Sequence, residues 1–171
     1  MFIFFHVAIP LLLYEITAFK KALNVQRFSL IVGSMLPDIL EKPLALMHLA
    51  SGRGIFHAPF VWLVIWGTLS LVFKKKDVIN GVCFGSIIHL MLDLPGISLF
   101  WPFVQYNFVY LEDPLLVWLE SLLHNPVVIT TEIMGILSLL FIIYRNHLWF
   151  HINTIRTFLL TPTKILNTST L

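Results

Sequence analysis

VINGVCFGSIIHLMLDL, residues Val78 to Leu94, is an apolar run broken near its end by His89 and Asp93. Four residues apart on a helix, the two side chains project from one face, at a depth in a hydrophobic segment where ionisable groups are costly. An imidazole beside a carboxylate is a metal-ligand pair. Gly81, Gly85 and Ser86 put small side chains on the same face. Another helix can approach closely there, so the His89 face turns toward the interior of a bundle.

The rest of the chain fits a helical membrane protein. Of 171 residues, 58% are hydrophobic and only 12% charged, and mean hydropathy is +0.88. That leaves too little polar surface for a water-soluble domain of this size. The expected class is therefore an all-α, polytopic transmembrane bundle. A net charge of +2 gives nucleic-acid binding no support. The single Cys83 excludes an internal disulfide and any cysteine-based zinc site. The apolar start, Met1 to Phe19, lacks a basic leader and a small-residue cleavage pattern, so it reads as a retained membrane helix.

Five apolar stretches mark the expected spans: Phe2 to Phe19, Phe28 to about Leu40, Ile55 to Phe73, Val78 to Leu94 and Val127 to Tyr144. About 20 helical residues cross roughly 30 Å of hydrocarbon. The second stretch is short and ends at Pro37-Asp38, which suggests a tilted or broken helix lining a polar cavity. Gly96 to Asn125, with Trp101, Tyr106, Phe108 and Tyr110, reads as an interfacial aromatic segment. Residues 1–144 form the transmembrane domain on this reading, and 145–171 a cytoplasmic tail. Nine of the eleven basic residues lie in the two loops and tail that a five-span path assigns to the cytoplasm, leaving Lys42 and Arg53 outside. The N-terminus is then outside and the C-terminus inside.

On that path the ligand-type residues gather at one level. His6 lies near the outer start of the first span, Asp38 and Glu41 at the outer end of the second, and His57 at the outer start of the third. His89 and Asp93 lie at the outer end of the fourth. His57, His89 and Asp93 are the expected core metal ligands, with Asp38 and His6 completing the shell. Imidazole and carboxylate suit catalytic zinc, and manganese or iron also fits. Such an ion lowers the pKa of its water toward 7 for attack on an ester or phosphoryl centre. Arg53 would hold an anionic group, and Glu41 would act as general base if it is not a ligand. Plainer roles exist for each residue: helix pairing for His89 and Asp93, interfacial placement for His57 and His6, a turn for Asp38 and a solvated loop for Glu41. Glu132 is left outside the set.

The motifs FFHVAIP (Phe4 to Pro10), GSMLPD (Gly33 to Asp38), GRGIFH (Gly52 to His57), HLMLD (His89 to Asp93) and LFWPF (Leu99 to Phe103) occur in this order. Together they resemble the membrane-bound metal-dependent hydrolase family, which includes the LexA-regulated inner-membrane hydrolases of bacteria and archaeal relatives. The resemblance spans about Phe2 to Phe103. It implies a polytopic membrane hydrolase with a metal site at His6, Asp38, His57, His89 and Asp93. Many members carry a His where this chain has Gly52 and an Asp where it has Leu40, a difference that favours one ion over two. Glu41, one residue later, stands in for the second acid.

The expected function is hydrolysis of an ester or phosphoester in a lipid or lipid-linked substrate at the outer leaflet, with the bilayer as partner. The main alternative is an ion or proton transporter subunit that uses the same His/Asp cluster. A scaffold whose polar residues only join helices is the other.

Overall fold

The structure, a computed structural model, describes residues 3–16, 20, 23–108, 110–149 and 152–162. The expected span end at 17–19 and the end of the expected tail, 163–171, lie outside the described residues. The described residues are all-α, with no strand among them. They form α1 (Ile3–Glu15), α2 (Arg27–Leu46), α3 (Pro59–Val72), α4 (Lys76–Leu92), α5 (Pro114–His124), α6 (Pro126–Arg145) and α7 (Ile152–Leu160), with a 3-10 turn at Ile55–His57 before α3.

The pairing of α2 with α4 is the centre of the fold. A Cβ added at Gly33 would overlap the Val82 backbone, and one at Gly85 would overlap the Leu30 carbonyl. The two backbones therefore touch where the small residues of α4 face those of α2. Ser86 completes the seam by donating to the Gly33 carbonyl at 2.9 Å.

That bond also explains why α2 does not stop where the sequence reading ended it. Instead of breaking at Pro37-Asp38, the helix runs for 20 residues through Pro37 and Pro43. A proline cannot donate to the carbonyl four residues earlier, here that of Gly33. The Ser86 hydroxyl takes that place. Asp38 and Glu41 thus sit on a continuous helix rather than on a turn.

On the other side α1 packs against α6, where Gly135 allows the Phe4-Phe5 backbone to come in close. Glu132 of α6 accepts from the Phe4 and Phe5 amides at 3.0 and 3.3 Å and so caps α1. One apolar core joins Leu11, Tyr14, Val25, Leu30 and Ile142, and a smaller one joins Trp62, Leu90 and Ile97.

Among the described residues one helix, α6, is long and apolar enough to cross a membrane. Its best window has a mean hydropathy of 2.2 and is only 17% buried, so its apolar surface faces outward rather than into a core. α1, α3 and α5 are apolar but shorter, at 13, 14 and 11 residues. Two helices lie where the sequence reading placed none. Pro114 opens α5 inside the expected interfacial segment, and α7 lies in the expected tail. The tail packs back on the bundle, since Arg27 donates to the Phe158 carbonyl at 3.1 Å and stacks over its ring.

Candidate metal centre

Three separate pieces of chain deliver four polar side chains to one buried point. α2 brings Asp38, the turn before α3 brings His57, and the end of α4 brings His89 with Asp93 at its C-cap. One ligand-type atom from each of the four lies within 4.8 Å of all the others. All four side chains are buried.

The distances suit a shared cation better than a set of pairwise hydrogen bonds. His57 Nε2 is 3.3 Å from His89 Nε2 and 3.5 Å from Asp38 Oδ1. His57 and His89 each place Nε2 3.7 Å from Asp93 Oδ2, and His89 Nε2 is 3.8 Å from Asp38 Oδ1. Ligands on a tetrahedral ion with bonds of about 2.0–2.2 Å lie roughly 3.3–3.6 Å apart. Most of the observed separations exceed hydrogen-bond length and fall close to that spacing.

The tautomer of His89 points the same way. Its Nδ1 is 2.6 Å from the Ser34 carbonyl. A carbonyl only accepts, so Nδ1 carries the proton and Nε2 presents a lone pair to the cluster. Metal-ligating histidines are commonly held in this manner. For His57, Nδ1 is buried without a hydrogen-bond partner among the described residues, while Nε2 faces the other three side chains.

Each carboxylate turns one oxygen to the histidines and the other to a second partner. Asp38 Oδ2 receives the Lys42 ammonium, one helical turn on, at 2.5 Å. Asp93 Oδ1 faces His6 Nε2 at 3.4 Å and Arg53 Nη2 at 3.6 Å. His6 stands beside the four, its ring centroid 4.1 Å from that of His89. Every histidine and aspartate expected from the sequence is therefore in one place, with His6 at the edge of the group.

Glu41 is buried nearby but faces a different way. Its two oxygens accept from the Gly54 and Phe56 amides, both at 2.9 Å. The loop that carries His57 is thus fastened to α2. Ser98 donates to the Gly54 carbonyl at 2.9 Å, and Trp62 Nε1 donates to the Phe56 carbonyl at 2.8 Å. Four anchors hold a stretch of three residues directly before His57, and the loop is rigid for that reason.

A cavity of about 400 Å³ opens beside the cluster, bounded by Asp38, Lys42, Arg53, Asp93, Trp118 and Asn125, among others. Its wall carries both cations that touch the aspartates and, from α5, an aromatic surface. Sequence reasoning missed Lys42 and Ser34, while Glu132, left outside the metal set, does hydrogen-bond to a neighbouring helix. Lys42 had a signal in its spacing of four from Asp38, whereas the Ser34 carbonyl and the reach of Glu132 to α1 exist only in the packed structure.

No protein-family model, characterised protein or solved structure matches this chain. Geometry alone therefore carries the chemistry: the buried Asp38, His57, His89 and Asp93 group is able to bind a metal ion.

Proposed function

We propose that this protein is a membrane-embedded, metal-dependent hydrolase acting on an ester or phosphoester of a lipid or lipid-linked substrate. One observation carries the reading: donors from three distant stretches of chain meet around a single focus beside a cavity large enough for a substrate group. Asp38, His57, His89 and Asp93 would hold the ion, with His6 supporting Asp93. Zinc suits this donor set best, and manganese or iron is compatible with it. A divalent ion in such a site supplies Lewis acidity, lowering the pKa of water toward neutrality and polarising a phosphoryl or carbonyl oxygen.

The chain's own residues do the rest. Arg53, with its side chain 47% exposed, reaches both Asp93 and the cavity, where its guanidinium is suited to an anionic group or a developing negative charge. Glu41 keeps the His57 loop fixed, so that the imidazole needs no reorganisation. Both of its oxygens are committed to the loop, and we assign it positioning rather than proton transfer.

Membrane insertion is supported by the outward apolar faces of α3 and α6. Leu63, Val64, Leu71 and Val72 on α3 are largely exposed, as are Leu137, Leu140 and Phe141 on α6. Apolar surface of that extent in contact with water would drive association. A bundle of five crossings, formed by α1 to α4 and α6 with the metal centre near the non-cytoplasmic surface, matches the distribution of basic residues. The ordered motifs that resemble membrane-bound metal-dependent hydrolases agree with the same reading. A transport role ranks second, because the buried charges at the opposite end of α1 and α2 are closed into ion pairs and offer no continuing path.

Elemental analysis of the detergent-purified protein tests this, together with hydrolysis of phospholipid vesicles. The expected result is about one divalent ion per chain, less than a tenth of that in His89→Ala, and activity that chelation removes and zinc restores. Unchanged metal content in His89→Ala would remove the site.

A further inference from the structure

The cavity beside the cluster carries a feature that an ester of unspecified chemistry does not need. Lys42 and Arg53 stand on its wall, each against a different aspartate of the group. Their side chains are 27% and 47% exposed, and both line the cavity, where the Lys42 ammonium also lies 5.8 Å from the centre of the Trp118 ring.

Charge counting sharpens the point. Asp38 and Asp93 bring two negative charges and Lys42 and Arg53 two positive ones. A divalent cation on the carboxylates leaves the pocket with a surplus of about two positive charges. A neutral carboxyl ester makes no use of that surplus. A phosphate group matches it, and guanidinium and ammonium are its usual protein partners. The same cavity also has apolar lining, from Val117 and Trp118 of α5 and Val128 of α6, and the Trp118 ring is the one beside the Lys42 ammonium.

We infer that the cavity is a phosphate-binding subsite, formed by Lys42 and Arg53, and that the substrate is a phosphate ester whose apolar part lies along Trp118. This rests on the hydrolase reading above and narrows its substrate class. The shared chemistry is the phosphate group, which a lipid headgroup or free phosphate equally supplies.

Calorimetric titration of the metal-loaded protein in detergent tests it with three probes: dihexanoyl phosphatidic acid, dihexanoylglycerol and inorganic phosphate. Binding of the phosphatidic acid, with no heat from dihexanoylglycerol, is the expected result. Lys42→Gln and Arg53→Gln should each weaken that binding about tenfold or more, and Lys42→Arg should restore most of it. Phosphatidic acid binding at least tenfold tighter than inorganic phosphate would identify a lipid as the source. Equal affinity would keep the phosphate subsite but overturn the placement of an apolar part along Trp118. Equal binding of the charged and neutral lipids, or unchanged affinity in both glutamine variants, would overturn the inference. Metal content and thermal unfolding of each variant are measured alongside. A full metal complement without phosphate binding sinks the subsite alone, whereas absence of metal from the wild-type protein sinks the hydrolase reading itself.

Discussion

Helices α1 and α2 bury charged groups at both ends, and the two ends are built on opposite plans. At one end Glu15 meets Arg27 at 2.9 and 3.1 Å and Lys20 at 2.6 Å, each contact a hydrogen bond between opposite charges. Arg27 is covered further by the rings of Tyr14 and Phe158. At the other end the same two helices contribute to a group of two carboxylates and three imidazoles, whose closest side-chain contacts among themselves are 3.3 to 3.8 Å. The first arrangement satisfies itself. The second brings imidazole nitrogens and carboxylate oxygens together around a point that is able to hold a cation. Burial of charge alone therefore does not mark a functional site. What distinguishes the second end is the convergence of several ligand-type atoms on one buried point beside a cavity.

The comparison can be broken at either end. The largest effect is expected from Asp38→Asn combined with Asp93→Asn, which removes both negative charges from the cluster. Metal affinity, read by competition with a chromophoric chelator, should fall more than a hundredfold, while α6 and the Glu15 pair keep the protein folded. Retained affinity would show that the carboxylates serve packing only.

The ion-pair end should respond in the reverse sense. Arg27→Met leaves Glu15 buried beside one partially exposed lysine, and breaking a buried pair in this way costs about 3–5 kcal/mol. Thermal unfolding in detergent should show the loss, with metal stoichiometry of the folded protein unchanged. Glu15→Gln added to Arg27→Met should recover much of it. A parallel loss of metal would mean that the two ends are not independent.

Glu41→Gln is a smaller and more specific probe. The amide keeps one acceptor but turns an N–H donor toward the amide of Gly54 or Phe56, so one anchor of the His57 loop is lost. Metal affinity should fall about 10- to 100-fold, as it does when groups supporting a ligand are removed. An unchanged affinity would place the rigidity of the loop in Ser98 and Trp62 instead.

Much of the site was legible without coordinates because its residues declare themselves by cost. His89 and Asp93 in an apolar run, or Asp38 after Pro37, need a reason to be where they are. Their shared level followed from the alternation of apolar stretches. Roles that depend on contact were not legible. Glu41 sits one turn from Asp38 in the sequence and reads as a member of the acid set. Its orientation toward the Gly54 and Phe56 amides depends on where the loop folds. Glu132 is an isolated acid in an apolar helix, and only the approach of α1 at Gly135 gives it two amides to accept from. The continuity of α2 through Pro37 likewise depends on a hydroxyl from another helix.

Composition and spacing act locally along the chain, and they suffice for the helical class, the apolar faces and the identity of the residues that gather. Tertiary structure decided which atoms of those residues face one another, which glutamate holds a loop rather than a substrate, and where a cavity remains. These are properties of surfaces brought together from distant parts of the chain. Close packing at Gly33 and Gly85, where a Cβ would overlap the facing backbone, sets that meeting, and no local pattern carries the information.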